Sequence, residues 1–326
     1  MRADGRACLA VAVLLATIAL APTSLRAEDY PSQDLHFITS FPPGSGADVL
    51  VRYVAEKVRP LAGRPILVEN KVGNAGMIAA EYTARAKPDG YTIYVHAAST
   101  IAGNMWLLKK PPIDAARDIF VAATINRQPF MVAVPAQSPY RTLAELTEGM
   151  KRKGEKASYM QSNVTGKVMG ELYKLATGIT AVDVPYRTAN ESLNDFASGA
   201  LDFGMVDPVF ALIQEREGRI RNLAVSTPLR MQAVPLLPTM VELGFPSIHI
   251  TGWFAAMVPA ATPRPIIDRI NNWFIEVIGT QETKQFLNQF GGDPYLTTPD
   301  EAQAALLQDI KDWEGYVRAA RVEPQG

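Results

Sequence analysis

An α/β protein built on parallel strands is the fold class that this sequence predicts, and three observations predict it. Short apolar runs alternate with amphipathic helical stripes along most of the chain. Turn residues separate the two kinds of segment, and helix-start signatures fall at the joins. The chain has 326 residues, enough for two compact domains, and its 48% hydrophobic and 20% charged residues are those of an ordinary globular protein. A formal net charge of −1, with no basic patch interleaved with aromatics, argues against nucleic acid or an anionic membrane as a partner.

The N-terminal segment stands apart. Arg2 and Arg6 precede an apolar run from Ala7 to Ala21, and a short polar stretch then ends at Leu25-Arg26-Ala27. This is the plan of a secretory signal peptide, with an apolar run too short for a membrane span, and cleavage is expected after Ala27. The single cysteine, Cys8, lies inside that leader, so the exported chain, residues 28–326, is expected to lack disulfides and thiol nucleophiles. Loss of Arg2, Asp4, Arg6 and Arg26 takes its charge from −1 to −3.

The elements then follow in order. LHFITSF (35–41) reads as a strand, and Leu50, Val54, Val58 and Leu61 form the buried stripe of a helix over 47–62. RPILVEN (64–70) is a second strand; the glycine turn KVGNAG and a helix through Ala86 follow. Lys87-Pro88-Asp89-Gly90 is turn chemistry before a third strand, YTIYVHA (91–97). FMVAVP (130–135), VDVPY (182–186), LDFGMV (201–206), LAVS (223–226) and HITGWFAAMV (249–258) are further strands. Helices are expected between them, at 264–280 and at 299–319, the last burying Ala302, Leu306, Ile310, Trp313 and Val317. Ser45-x-x-Asp48, Thr142-x-x-Glu145, Thr188-x-x-Glu191 and Thr298-x-x-Glu301 all have the capping-box pattern. The alternation predicts parallel crossovers and sheets covered on both faces.

Catalytic chemistry finds little material here. His36, His96 and His249 are the only histidines, each alone within a strand, with no metal-ligand spacing and no cysteine to assist. There is no G-x-S-x-G nucleophile elbow, and SFPPGSGAD (40–48) is neither a Walker A loop nor a G-x-G-x-x-G fingerprint. That stretch does something else. Pro42 and Pro43 lack N–H groups and hold the chain extended, after which Gly44, Ser45, Gly46 and Ala47 offer consecutive amides at a helix start. Orphan amides and the helix dipole favour an anion, and the carboxyl end of a strand is where open α/β sheets bind ligands. On local sequence alone, a plain strand-to-helix turn capped by Ser45 accounts for the same residues.

Family resemblance adds to this reading. SFPPGSGAD, VENKVGNAGMIAA (68–80), KPDGYTIYVHAAST (87–100), VPYRT (184–188) and LAVSTPLRMQAVPLLPTMVELGF (223–245), with TGWFAAMVPAATPRPIIDRIN (251–271), occur in that order. Together they resemble the substrate-binding proteins of tripartite tricarboxylate transporters, the Bug family, over essentially the whole chain after the leader. The resemblance implies a monomeric periplasmic receptor of two α/β lobes, type II-like, that closes over a small carboxylate and serves membrane permease subunits. Lobe I would comprise residues 28–129 and 253–326, and lobe II residues 130–252. It implies no cofactor, no metal and no enzymatic activity. The ligand-binding residues it implies are Phe41, Gly44, Ser45, Gly46 and Ala47 in the first loop, with Ser99 and Thr100 at the polar end of a third lobe I strand. In lobe II they are Ser162, Asn163, Thr165, Tyr186 and Asp207.

The sequence departs from the family pattern in three places. Ser45 replaces the second glycine of the first loop, and Val72 stands where the second loop commonly has proline. The lobe II loop reads Met160-Gln161-Ser162-Asn163-Val164-Thr165-Gly166 rather than Gly-x-Gly-Ser/Thr. Arg52 and Arg187 are candidate cations for the ligand; Asp48 reads as a capping partner. An exported sensor that reports to a membrane signalling protein, and an exported enzyme using Asp207 or Asp48 as base, are the alternatives.

Overall fold

A strand that is buried on one or both faces needs a neighbour for its backbone and a cover for its side chains, and this chain supplies both twice over. The computed structural model describes residues 30–325; the expected leader lies outside them. The chain runs through β1 (Leu35–Thr39), α1 (Gly46–Ala62), β2 (Ile66–Asn70), a 3-10 turn (Asn74–Gly76), α2 (Met77–Ala84) and β3 (Thr92–Ala97). It continues through α3 (Ala98–Leu107), a short α4 (Ala115–Asp118) and β4 (Ile119–Pro129). Next come β5 (Met131–Pro135), α5 (Leu143–Lys153), β6 (Ser158–Gln161), α6 (Val164–Thr177) and β7 (Val182–Pro185). These are followed by α7 (Leu193–Ser198), β8 (Phe203–Val206), α8 (Pro208–Arg216) and β9 (Ile220–Val225). An irregular passage then leads to β10 (Thr251–Pro259), α9 (Arg264–Gly279), α10 (Gln281–Gln289), β11 (Asp293–Pro294) and α11 (Pro299–Ala320).

Two sheets result. The first has the order β11-β4-β10-β3-β1-β2 and the second β7-β6-β8-β5-β9. β1 pairs in parallel with β2 and β3, and β6 pairs in parallel with β7 and β8. The expectation of purely parallel sheets is corrected: β10 runs antiparallel to β3 and β4, as does β5 to β8 and β9. β5 and β10 follow directly on the passages that join the two sheets, so no crossover helix sets their direction.

Local chemistry fixes the helix ends. Thr142 and Thr298 make complete capping boxes with Glu145 and Glu301. Ser45 caps α1 through its hydroxyl. Thr188 differs, because it precedes a 3-10 turn and makes no side-chain cap. Leu50, Val54 and Val58 are buried as the spacing requires, while Leu61 and Ile310 are only half-buried. The sequence reading missed β4, β6, α3, α10 and β11. β4 is buried along most of its length and α3 on most of its sides, so neither carries the polar–apolar alternation that reveals an element.

The core of the first sheet is covered by α1 and α9 on one face and by α3 and α11 on the other. α11 also packs against α6 of the second sheet, so one helix braces both units. At the passages between sheets, Ser226 ties the two strands of chain together. Its backbone N–H donates to the Phe130 carbonyl (2.8 Å), and its hydroxyl accepts from Phe130 N–H (2.9 Å) and donates to the Ile250 carbonyl. Ser226 is wholly buried, so losing the hydroxyl strands both partners out of water's reach. Beside it the Trp253 indole N–H donates to Asp309 on α11 (2.9 Å). Burial pushes the Asp309 carboxyl up to about 7; the Trp253 bond opposes this and Asp312 adds to it.

Two outcomes are expected. Ser226→Ala destabilises the protein by about 1–3 kcal/mol in urea unfolding, whereas substitution of an exposed serine does not. For Asp309 the folded state holds the proton more tightly than the unfolded chain. Its contribution is therefore full below about pH 4 and is lost, at up to about 1.4 kcal/mol per pH unit, as pH rises towards 7. Asp309→Asn flattens that part of the stability–pH curve, as melting temperatures measured from pH 4 to 8 would reveal.

Candidate functional site

β1 lies between β2 and β3, so its carboxyl end is a topological switch point, where open α/β sheets bind their ligands. The first loop, 40–48, sits on it. Gly44 adopts φ +80°, a conformation that favours glycine, and Ser45 then turns extended as the cap of α1. Two of the four expected donors are engaged within the loop itself. Gly44 N–H donates to Asp48 (2.8 Å) and Ser45 N–H to the Pro42 carbonyl (3.1 Å). The Gly46 and Ala47 amides have no protein acceptor among the described residues, and both residues are half-exposed.

Asp48 is the keystone of the loop. Its buried carboxylate accepts from Gly44 N–H, from Arg52 (2.9 Å) and from Asn70 (2.7 Å), while Asn70 also donates to the Phe41 carbonyl (2.8 Å). Burial pushes the Asp48 carboxyl up, but these hydrogen bonds outweigh it and hold it below the usual range. Arg52 is thereby tied to Asp48 and Asn70 rather than presented to a ligand. The capping box read from sequence is therefore only half formed: Ser45 accepts from Asp48 N–H, but the Asp48 carboxylate turns to Gly44 N–H instead of Ser45 N–H, which the Pro42 carbonyl already holds, and it serves as the loop's lock.

Beneath the loop lies a polar cluster that sequence reasoning missed. Phe41 stacks on His96 with ring centroids 4.2 Å apart, and Ser40 Oγ lies 2.6 Å from His96 Nε2. His96 Nδ1 faces the Ala97 carbonyl (3.2 Å), which can only accept, so Nδ1 carries the proton and Nε2 accepts from Ser40. Burial lowers the His96 pKa to about 4, leaving the ring neutral at pH 7. The other histidines also have hydrogen-bond partners, His36 with Glu69 and His249 with the Pro246 carbonyl, and His249 lies outside the strand expected for it, because β10 begins only at Thr251. The second turn closes over the same cluster: Tyr94 donates to the Gly76 carbonyl (2.9 Å), and Asn74 and Ala75 take left-handed φ values of 45° and 48°. Such strain on an alanine is held in place by its neighbours, here the Asn104 bond to the Ala75 carbonyl (2.8 Å).

Ser99 and Thr100 are not at a strand end. β3 stops at Ala97, and both residues fall in the first turn of α3. Ser99 is buried and accepts from Trp253 N–H (3.4 Å), while Thr100 is half-buried.

The second sheet repeats the arrangement, with β6 between β7 and β8. Ser162, Asn163 and Thr165 follow β6, Tyr186 follows β7 and Asp207 follows β8, so all five gather at one end of the sheet. Several are engaged locally. Asn163 caps α6 by accepting from Gly166 N–H (2.9 Å), and Asp207 caps α8 by accepting from Phe210 N–H (3.0 Å). The Tyr186 hydroxyl donates to Asp195, and burial together with that carboxylate pushes its pKa up to about 12. Burial also raises the Asp207 carboxyl, against the amides of its own cap. Ser162 and Thr165 are half-buried. Arg187 is exposed.

The two loop sets meet. A Cβ placed on Gly46 would lie 2.5 Å from Val209 Cγ1, so the start of α1 touches the start of α8 beside Asp207. A separate cavity of about 800 Å³ opens beside the inter-sheet passages, lined by Arg127, Trp253, Tyr295, Asp309 and Tyr316 among others. None of the residues chosen from sequence lines it. Arg127 and Trp253 are cross-strand partners, whereas Phe254, one residue on, packs on Phe41 at the cleft (5.5 Å), so the cavity and the cleft lie on opposite faces.

Two sheets, each with a switch point, facing loops rich in helix starts and a doubly crossing chain define a two-lobed α/β fold of the kind that solute-binding proteins have. The particular family follows from comparison with known proteins. Residues 50–321 match the profile of the tripartite tricarboxylate transporter family receptors, and the chain belongs to that family. Protein BugT of Bordetella pertussis is 27% identical over 311 residues, covering 94% of this chain and 95% of its own. The structure of R. palustris Rpa4515 with adipate superposes with a TM-score of 0.83 at 27% identity, covering 91% of this chain and all of that one. The periplasmic binding protein BugD gives a TM-score of 0.79 at 25% identity, covering 91% of this chain and all of its own.

Asp48→Asn removes the charge from a buried site with three donors and is expected to cost about 1.5–3 kcal/mol at pH 7. Because the folded-state pKa is lowered, that stabilisation is present above about pH 4 and is lost as pH falls. Parent and variant should therefore converge in melting temperature under acid conditions.

Proposed function

We propose that the protein captures a small organic carboxylate, a di- or tricarboxylate or an aromatic acid, and delivers it to the permease subunits of a tripartite tricarboxylate transporter. The lobes that close on the ligand are residues 28–129 with 253–326, and residues 130–252. One observation carries this reading: the Gly46 and Ala47 amides lie unpaired at the start of α1, half-exposed, against the start of α8. Neutral amides at a helix N-terminus stabilise a carboxylate without the desolvation cost of a buried lysine or arginine. Phe41, held flat on His96, supplies an apolar wall beside them. Ser162 and Thr165 supply hydroxyls from the facing lobe, and Asp207 accepts from a hydroxyl or ammonium group elsewhere on the ligand. The adipate in Rpa4515 is a ligand of this chemistry in a related fold. Export by a cleaved leader over residues 1–27 and action as a monomer complete the reading.

The test is a melting-temperature and calorimetric screen against adipate, succinate, malate, citrate and benzoate. A ligand present at a hundred times its Kd adds about 2.7 kcal/mol of stability, which at this chain length raises the melting temperature by several degrees. Heat and a melting shift with at least one acid are expected. Silence with all five would sink the carboxylate reading.

A further inference from the structure

Gly46 is a glycine whose backbone does not require one. Gly44, two residues before it, has φ +80°, but Gly46 is the first residue of α1 and lies outside the left-handed region. Any other residue type would fit that backbone, and alanine would favour the helix by about 1 kcal/mol in an interior position. What an added side chain meets is the other lobe. The Cβ would stand 2.5 Å from Val209 Cγ1 and 3.4 Å from Val209 Cβ, against the roughly 3.5–4.0 Å of ordinary carbon contact. Val209 cannot readily turn aside, because a β-branched side chain in a helix is stiff about χ1. It is also flanked by Pro208 and the buried Phe210, and Pro208 meets Gly291 of the first lobe, where a Cβ would lie 2.7 Å from it, so a second close contact between the lobes stands beside the first.

We infer that Gly46 and Val209 are a positioning pair: their contact is the stop that sets how closely the amides of α1 approach the start of α8 when the lobes close. The inference rests on the proposed ligand cleft and deepens it. The bare α-carbon of Gly46 allows the lobes to come about 1 Å nearer than an alanine would. The closure that the pair permits then sets the length of ligand the cleft can enclose, so the pair selects for ligand length without touching the ligand's charge. Asp48, Asn70 and Phe41, which hold the loop from behind, stay as they are when residue 46 changes.

The experiment uses Gly46→Ala, Val209→Ala and the double variant, with spin labels on cysteines introduced at the exposed Leu67 and Leu175, one in each lobe. Distance distributions are recorded with and without succinate, glutarate and adipate, alongside calorimetric Kd values. The wild type is expected to show a short-separation population that is displaced outward in Gly46→Ala and restored in the double variant. Affinity for the shortest diacid that binds should fall about tenfold or more in Gly46→Ala, with a smaller loss for a longer one, and recover when Val209 is trimmed. Identical distributions in wild type and Gly46→Ala, a wild type with no short population under any condition, or no recovery in the double variant would overturn the inference. If no diacid binds yet the displacement and its rescue are seen, the carboxylate reading fails and the closure stop stands.

Discussion

Everything about the placement of the cleft depends on how the chain passes between its two sheets. It does so twice, at 129–131 and across 226–250, and Ser226 bonds one passage to the other through both its backbone and its side chain. A buried hydroxyl with donor and acceptor satisfied behaves as a fixed bracket, because breaking either bond leaves a polar group where no water can replace it. α11 supplies the second restraint by packing against both units and accepting the Trp253 indole hydrogen bond on Asp309. Two tied passages and one shared helix hold the sheets near one another, and further bonds cross between them: Arg216 on α8 donates to the Gln289 carbonyl (2.8 Å), and Asp293 on β11 accepts from the backbone N–H groups of Gln232 and Ala233.

The chemistry at the cleft follows from what is kept out of it. The charged residues of the first loop are already partnered: Asp48 with Arg52, Asn70 and Gly44, and Arg52 with Asp48 and Asn70. His96, directly under Phe41, is neutral because burial favours its uncharged form. Among the described residues, the side chains that pack on the loop thus leave no unpartnered cation there, and the polarity of its open side is that of the two amides and the helix dipole. The attraction these exert on an anion is modest and directional. It suits a receptor that must release what it has bound, which a fully desolvated ion pair would resist.

The sequence revealed the alternation of strands and helices because α1, α9 and α11 each bury one face only, and such helices write their orientation into the spacing of apolar residues. The elements it concealed, β4 and α3 above all, are enclosed on most sides and have no polar face to betray their period. Within the site, the Ser45 cap could be read directly, since capping is a property of a single residue at a helix start. The loss of the Gly44 and Ser45 amides to Asp48 and Pro42 could not, because it depends on how the loop folds back on itself. The placing of Ser99 and Thr100 at a strand end failed for a related reason: β3 passes into α3 with no turn residue between them to mark the change. Val209 was invisible for lack of any local signal. Only the meeting of the lobes gives it a neighbour at residue 46.

The two sheets share an order, β2-β1-β3-β10-β4 matching β7-β6-β8-β5-β9, and each opens its switch point towards the same cleft. The likeness extends to the helix starts. Ser45, Asn163 and Asp207 each cap the helix that follows and accept from the amide three residues on, those of Asp48, Gly166 and Phe210. What differs is the capping group: a hydroxyl before α1, a side-chain amide before α6 and a carboxyl before α8. Proline at the first position of α8 also removes one N–H from that start, whereas Gly46 and Ala47 keep both of theirs. The two halves of a symmetrical fold are thus told apart by the chemistry of their caps rather than by the presence of caps, and it is the start of α1 that keeps the fuller set of amide donors.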